Sequence, residues 1–491
     1  MADTRAEIAG APALAFAYID SRCQWTKRCL HHQEDGRPLG PAQYLAICRV
    51  ATLYYLFGCN AQWQPLTETR HDSLENAQHQ AEFEYEGITQ CWTQVDPVIG
   101  LPGHSPSNSR SFLSSPDKEV SWRGNPYIAS GYGKMSREIV LRLSHLTRLG
   151  MWSPHRRDTC WLSEDEQCKL DQLRTIQVSD SATLVRALPP QMEHLPGKRI
   201  CFTMMETQTI HADFIRRLNT FYHECWTPTR WNREAFLTSG IRIPVHVVPL
   251  GVDPDVFNPG LSVPLPEAEL LTTTRAGVKE SPQGFIYITA YQPTFRKGIP
   301  VLLEAFEAAF ENDPEAALVL ATTFHPLSQL ENDLSDNSMN ARVYSLKGRF
   351  SESGLADIFR SSNAYVSSSL GEGWNLPLCE AAACGLPVIA PQHSAHAELL
   401  SHDIAYLYPP DGYSPVKGSE RISPWFEGQT FARYGNAAIE HLTTLLKTVK
   451  SNYSVARGKG AAASRYFRSN LTWDMSVRQV LARLVSARNA I

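Results

Sequence analysis

The chain lacks most of the features that mark specialised protein classes. It has 11 cysteines but no Cys-x-x-Cys, which leaves a zinc ribbon or a thioredoxin-type redox motif without support. Its most apolar window, Tyr44–Cys59, is interrupted by Arg49 and is shorter than the ~20 residues a membrane-spanning helix needs. Positive charge is not in excess: 46 Lys and Arg stand against 50 Asp and Glu, a net −4. That balance argues against nucleic acid as a partner, because such binding rests on surplus Lys and Arg. The basic pairs Arg156-Arg157 and Arg216-Arg217 read as solvated surface. With Gly at 29 and Pro at 32 of 491 residues, the chain is far below the roughly 25–30% that signals disorder. Asp3 and Glu7 flank a single Arg5 before the apolar stretch Ala11–Ile19, so the basic start of a signal peptide is missing. Scattered thiols suit a reducing compartment, and the expected location is cytoplasmic, with peripheral contact to a membrane as the variant.

What is present is a long globular chain, 43% hydrophobic over 491 residues, with a prior of about three domains. From Glu119 on, short apolar runs alternate with helical patterns, which indicates parallel sheets with crossover helices. A first series has expected strands Glu119–Arg123, Arg174–Val178, Thr183–Leu188, Arg199–Met204, His223–Thr227 and Pro244–Leu250. Helices are expected over Met135–Leu149 and Trp231–Thr238. A Pro- and Gly-bearing linker, Phe257–Pro282, leads to a second series. Its expected strands are Phe285–Ala290, Ala317–Ala321, Arg342–Leu346, Ala364–Ser369 and Leu386–Ala390, with helices Ile299–Phe310, Ser353–Arg360 and Leu376–Cys384. Helical patterns close the chain at Gln429–Val449, Ser454–Tyr466 and Trp473–Ala487. The expected fold class is therefore α/β, with two Rossmann-like doubly wound domains at 116–262 and 276–472. The first 115 residues form an extension whose structure the pattern leaves open. There, Leu14–Ile19 reads as a strand, Leu101–Pro116 as a loop and Tyr44–Cys59 as a buried helix, an interfacial membrane helix being its alternative.

The most informative segment is GEGWNLPLCEAAACGLPVIA, Gly371 to Ala390. A strand delivers it to the carboxyl edge of a parallel sheet, where open α/β sheets bind ligands. Gly371 and Gly373 permit a tight turn and close approach of a ligand. Asn375 is placed to cap a helix, Pro377 fits its first turn and Gly385 ends it. The free N–H groups and dipole at that helix start suit an anion. Glu372 lies in the turn and Glu380 about one turn into the helix, so both carboxylates face one mouth. An ionised carboxylate there matches the paired hydroxyls of a sugar or ribose.

This segment resembles the donor-binding motif of family-4 retaining glycosyltransferases, in which two Glu residues in the spacing of Glu372 and Glu380 precede a small-residue helix and a GxPV strand. The likeness runs from about Glu119 to Trp473. It implies the GT-B fold, two Rossmann-like domains facing across a cleft, with helix 473–491 packing back on the first. In the family the residue matching Glu380 holds the nucleotide ribose and the one matching Glu372 contacts the donor sugar. Backbone groups at Asn375 and Leu376 approach sugar or phosphate. The segment Tyr291–Phe306 resembles the family's phosphate clamp, with Lys297 as its Lys; the partner basic position is Gln292 here, and Arg296 is the replacement. SGYGK, Ser130–Lys134, resembles the Gly-rich loop where donor and acceptor meet, which brings in Gly131 and Gly133. Val248–Pro259 resembles the family's exit from the first domain and reads as structural. Many members carry a cleft His after the strand Arg199–Met204; this chain has Met205-Glu206-Thr207, and Glu206 takes that place, with His211 nearby. Arg349 completes the expected substrate-binding residues.

The resemblance implies hexosyl transfer with retention, from a UDP- or GDP-sugar to a hydroxyl of a glycan, lipid or small molecule. Glu372, Lys297, Arg296 and Glu206 are the expected catalytic set, and no cofactor or metal is obligatory. A sugar phosphorylase or nucleotide-sugar epimerase on the same fold, or a non-catalytic nucleotide-sugar-binding module, stay open beside it.

Overall fold

The computed structural model describes residues 7–8, 11–19, 23–26, 42–50, 53–59, 65–71, 73–94, 119–153, 159, 161–272, 276–290, 292, 294–322, 339–417 and 423–486. The Leu101–Pro116 loop, the Arg156-Arg157 pair, Tyr291 and Ala487 lie outside them. The chain divides into two units, Met1–Ser109 and Arg110–Ile491.

The first unit is an antiparallel sheet backed by one helix. Its strands are β1 (Glu7–Ile8), β2 (Ala11–Tyr18), β3 (Gln24–Trp25), β4 (Tyr44–Val50), β5 (Leu53–Cys59) and β6 (Pro65–His71). After them come α1 (Leu74–Glu84), β7 (Tyr85–Glu86) and β8 (Trp92–Gln94). The main sheet runs β1-β2-β4-β5-β6, with β8 beside β2, while β3 pairs with β7. Tyr44–Cys59 is thus not a buried helix but two antiparallel strands, paired from Tyr44 against Cys59 to Val50 against Leu53. A run that is apolar at nearly every position does not separate helix from strand by period. Its Ile, Val, Tyr and Phe residues favour the pleat. Leu45, Ile47 and Leu56 pack with Ala77 and Ala81 of α1, two positions one helical turn apart.

The second unit holds two parallel sheets. The first contains β9 (Glu119–Arg123), β10 (Arg148–Trp152), β11 (Thr183–Arg186), β12 (Arg199–Phe202), β13 (Glu224–Thr227) and β14 (Val245–Val247) in the order β10-β9-β11-β12-β13-β14. Its helices are α2 (Gly131–Leu143), α3 (Glu164–Thr175), α4 (Ala212–Phe221) and α5 (Arg230–Thr238). Three expectations change here. Ser130–Lys134 is not a loop but the start of α2, with Ser130 Oγ accepting from Gly133 N. The helix expected to reach Leu149 stops at Leu143, and Arg148–Trp152 joins the sheet. Arg174–Val178 is the end of α3 and the coil after it, because a Ser163–Glu166 capping box starts a helix there. That helix carries little apolar periodicity, because its sequence is mostly polar and buries only Leu170 and Leu173.

The second sheet runs β16-β15-β19-β18-β17-β20-β21-β22. These are β15 (Ala268–Leu270), β16 (Lys279–Glu280), β17 (Phe285–Ala290), β18 (Ala316–Thr322), β19 (Arg342–Lys347), β20 (Ala364–Val366), β21 (Val388–Pro391) and β22 (Tyr406–Tyr408). From β19 to β22 neighbouring strands are parallel. Helices α6 (Ile299–Phe310), α7 (Glu352–Arg360), α8 (Leu376–Ala383) and α9 (Ser394–Leu399) flank it. A hairpin of β23 (Gly412–Pro415) and β24 (Thr430–Arg433) precedes α10 (Asn436–Ser451), α11 (Tyr453–Asn470) and α12 (Trp473–Ser486). The helix expected from Gln429 therefore begins only at Asn436, after Gly435.

In both sheets the chain reverses direction of winding beside the first strand, between β9 and β11 and between β17 and β20. Such switch points open a crevice at the carboxyl ends of the strands. The chain returns to the first sheet at its end. Val252 N donates to Leu471 O at 2.8 Å and Trp473 N to Val252 O at 3.3 Å. The Asp474 carboxylate of α12 lies 3.1 Å from Arg142 of α2. Trp473 is buried in the common core. Trp473→Ala is expected to cost about 3–5 kcal/mol, the range for emptying a buried aromatic site. Differential scanning calorimetry checks this as a lowered melting temperature.

Candidate functional site

The two switch points face one cavity of about 280 Å³. The capped start of α2 supplies Ser130, Gly131, Tyr132 and Lys134, and the segment after β12 supplies Met204 and Glu206. From the second sheet come Arg296 and Lys297 after β17, Glu352 at the start of α7, and Glu372 to Glu380 after β20.

The loop after β20 is held from several sides. Leu370 N donates to Arg296 O at 2.7 Å, and Ser368 Oγ to Lys297 O at 2.9 Å. Glu372 N donates to Ser394 Oγ at 3.0 Å and Ala395 N to Glu372 O at 3.2 Å. Asn375 caps α8 from the left-handed region at φ 78°, its Oδ1 accepting from Leu378 N. Its Nδ2 sits 2.9 Å from His396 Nε2. Burial holds the His396 imidazole down at about 4, so at neutral pH the ring is uncharged and Nε2 accepts. That fixes Asn375, and with it the start of α8.

Glu372, only 4% exposed, is the centre of a charge chain. Its Oε1 meets Lys297 Nζ and accepts from Ser369 Oγ at 2.8 Å, while Oε2 lies 2.9 Å from Arg296 Nη1. Arg296 Nη2 reaches on to Glu206 at 3.2 Å. Burial opposes ionisation of Glu372, but Lys297 and Arg296 outweigh it and hold the carboxyl well below the usual range. Burial raises Glu206, with Arg296 only partly offsetting it. A second chain lies alongside. Lys134 Nζ is 2.8 Å from Glu380 Oε1 and 3.2 Å from Glu352 Oε2, and Arg137 Nη2 is 2.8 Å from Glu352 Oε1. Burial works against the charged form of Glu352, yet Lys134 and Arg137 pull it down to about 2. Glu138, behind them, is pushed up to about 7 by burial and by Glu352.

Glu372, Lys297, Arg296, Glu206, Glu380, Gly373, Asn375, Leu376 and Gly131 all border the cavity, as does Gln292. Gly133, Gly371 and Arg349 do not. A Cβ at Gly133 would stand 1.9 Å from Ile128 O, so this glycine lets α2 pack against its own approach loop. A Cβ at Gly371 would stand 1.9 Å from Glu206 O; it sets the contact between the two halves rather than a ligand surface. Arg349 is exposed, and its neighbours Phe350, Ser351 and Glu352 line the cavity instead. His211 is the N-cap of α4, its Nδ1 accepting from Asp213 N at 3.2 Å, and takes no part. Sequence reasoning missed Lys134, Arg137 and Glu352. A signal was present for Lys134, which closes the SGYGK segment, but its partners lie more than 200 residues away.

Residues 282–415 match the family of group 1 glycosyl transferases. Among solved structures, the chain superposes on HepE of Anabaena, crystallised with UDP and glucose, at a TM-score of 0.51, with 12% identity over 75% of this chain and 100% of that one. Sucrose-phosphate synthase of Thermosynechococcus elongatus gives a TM-score of 0.53, with 13% identity over 75% of this chain and 100% of that one. The match of residues 282–415 is to a group 1 glycosyltransferase domain, and the superpositions show a GT-B fold. Curated relatives include mannosylfructose-phosphate synthase of Agrobacterium fabrum, 25% identical over 32% of this chain and 35% of that protein. MMP alpha-(1->4)-mannosyltransferase of Mycolicibacterium hassiacum is 29% identical over 32% of this chain and 34% of that protein. The chain thus spans about a third of the length of the curated relatives it matches. Among the described residues, no helix is long and apolar enough to cross a membrane.

The Glu352 shift has a definite sign. A carboxyl held below its ordinary value contributes stability that is present at neutral pH and is lost as pH falls through the interval from 4.5 to about 2. Glu352→Gln removes that contribution. The melting-temperature gap between wild type and Glu352→Gln is therefore expected to close as the pH is taken down from about 4.5 through that interval.

Proposed function

We propose that the chain is a retaining glycosyltransferase that moves a sugar from a UDP- or GDP-linked donor to a hydroxyl of a glycan, lipid or small-molecule acceptor. The observation that carries this reading is the convergence, in one cavity, of the half-buried Arg296-Lys297 turn, the capped start of α8, and the carboxylates Glu372 and Glu380. The resemblance assigns Glu380 to the ribose and Glu372 to the donor sugar; the family match and the relatives with sugar-transfer names support the transferase reading as a whole.

On this reading, the diphosphate replaces carboxylate as the partner of Lys297 and Arg296. As the sugar–phosphate bond breaks, electrons pass to the leaving phosphate and the sugar gains oxocarbenium character. Lys297, Arg296 and the N–H groups at the start of α8 are fixed in advance where that negative charge grows, the arrangement expected to lower the barrier most. Glu206, its carboxyl raised by burial, sits beside Arg296 on the opposite wall. The acceptor hydroxyl attacks from the face the phosphate leaves, and its proton goes to the departing phosphate oxygen. Closure of the two halves excludes water.

Lys297→Ala is expected to slow turnover by about 10²-fold or more, as for loss of a transition-state charge partner. Incubation with a panel of UDP- and GDP-sugars and acceptors checks it, with NMR of the product. An α-linked product from an α-linked donor is expected. An inverted linkage rules out retention, and unchanged turnover of Lys297→Ala removes that residue from the site.

A further inference from the structure

Glu380 is 2% exposed and has one close cation, which comes from the other half of the cleft. Lys134 stands on the first turn of α2, in the first sheet's layer, whereas Glu380 stands on α8 of the second. We infer that Lys134 is a positioning residue of the donor site, which orients Glu380 across the cleft and favours its charged form so that it accepts the hydroxyl pair of the nucleotide. This rests on the reading of Glu380 as the ribose carboxylate.

Among the described residues, Lys134 is the cation that acts most strongly on Glu380, with Arg137 a weaker second. From α8 itself the neighbouring titratable groups are Cys379 and Cys384, and from β20 it is Tyr365; each is pushed up by burial and stays neutral. From α7 comes Glu352, a like charge that disfavours a second carboxylate, and Arg137 of α2 spends its nearest contact on that same Glu352. Glu372, along the loop, is committed to Lys297 and Arg296. Lys134 itself is anchored by Glu352 at 3.2 Å and lies 4.5 Å above the Phe257 ring. The neighbouring carboxylates outweigh its burial and keep it protonated. It meets Oε1 of Glu380. A protonated carboxyl loses half of its capacity to accept from a vicinal diol. Burial raises the Glu380 carboxyl above its ordinary range even with Lys134 pulling it down; stripped of that cation it takes up a proton at a still higher pH and loosens its grip on the ribose.

The arrangement also gives the donor site a part from each half.

The test is calorimetric titration of UDP and GDP into wild type, Lys134→Met, Lys134→Arg and Glu380→Ala, each at pH 6.5 and pH 9, with melting curves to verify folding. Comparison with wild type at each pH cancels titration of the nucleotide phosphate. Lys134→Met is expected to bind about tenfold or more weakly than wild type at pH 6.5, the scale of one charged hydrogen bond. The gap is expected to narrow at pH 9, and Lys134→Arg to retain most of the affinity at both. A folded Lys134→Met that binds like wild type at pH 6.5, or is weakened equally at both pH values, overturns the inference while Glu380→Ala still weakens binding. If Glu380→Ala binds like wild type, or neither nucleotide binds the wild type, the reading of the site falls and this inference with it.

Discussion

The buried pairing of Glu372 with Lys297 and Arg296 is the constraint on which the rest of the site depends. A buried carboxylate and two mostly buried cations sit together, each cation within hydrogen-bond reach of Glu372. Desolvation makes such groups costly unless each is paired. The chain meets that cost through rigid backbone: the β20 exit is tied to Arg296 O and Lys297 O, and Glu372 is tied by its own N–H and carbonyl to Ser394 and Ala395. Once these are fixed, Asn375 is forced into the left-handed cap and α8 points its opening turn at the cavity. The site is therefore built of local strain and charge, set on two parallel sheets whose reversal points face each other.

The same electrostatics links the two halves. Glu206–Arg296, Lys134–Glu380, Lys134–Glu352 and Arg137–Glu352 all cross the cleft. The β23–β24 hairpin adds an apolar clasp. Gln208 N donates to Thr430 O at 3.0 Å, and Phe426 and Phe431 pack with Phe214 and with Phe295, the residue before Arg296. An anionic ligand entering between the halves meets cations already spoken for by carboxylates. Binding is then an exchange of partners rather than a filling of empty charge, which favours a ligand that carries both anionic oxygens and hydroxyl groups.

Much of the second half was readable in the chain itself, because its signals are short-range. Pro300 and Pro377 in first turns, Gly385 after α8 and the apolar strand Phe285–Ala290 each act within a few residues, and the Ile299–Phe310 helix has the expected ends. The carboxylates Glu372 and Glu380 were legible for the same reason. Tyr44–Cys59 was not, since an all-apolar run hides its period and the partner strands that decide the matter are tertiary. Nor were the partners of Lys134 and Arg137. Spacing along a helix says which face a side chain occupies, but not that Glu352 and Glu380 wait on another sheet. Gly133 and Gly371 were read as ligand-facing because glycine allows close approach; here the approach is by the chain's own carbonyls at Ile128 and Glu206.

The most direct test of this account is a crystal structure of the chain with UDP or GDP bound. The account places the diphosphate against Lys297 and the start of α8, with the ribose hydroxyls on Glu380 and the Glu372 ion pairs rearranged. A nucleotide seated elsewhere, with the Glu372–Lys297 and Lys134–Glu380 pairs undisturbed and the cavity between the sheets unfilled, would contradict it.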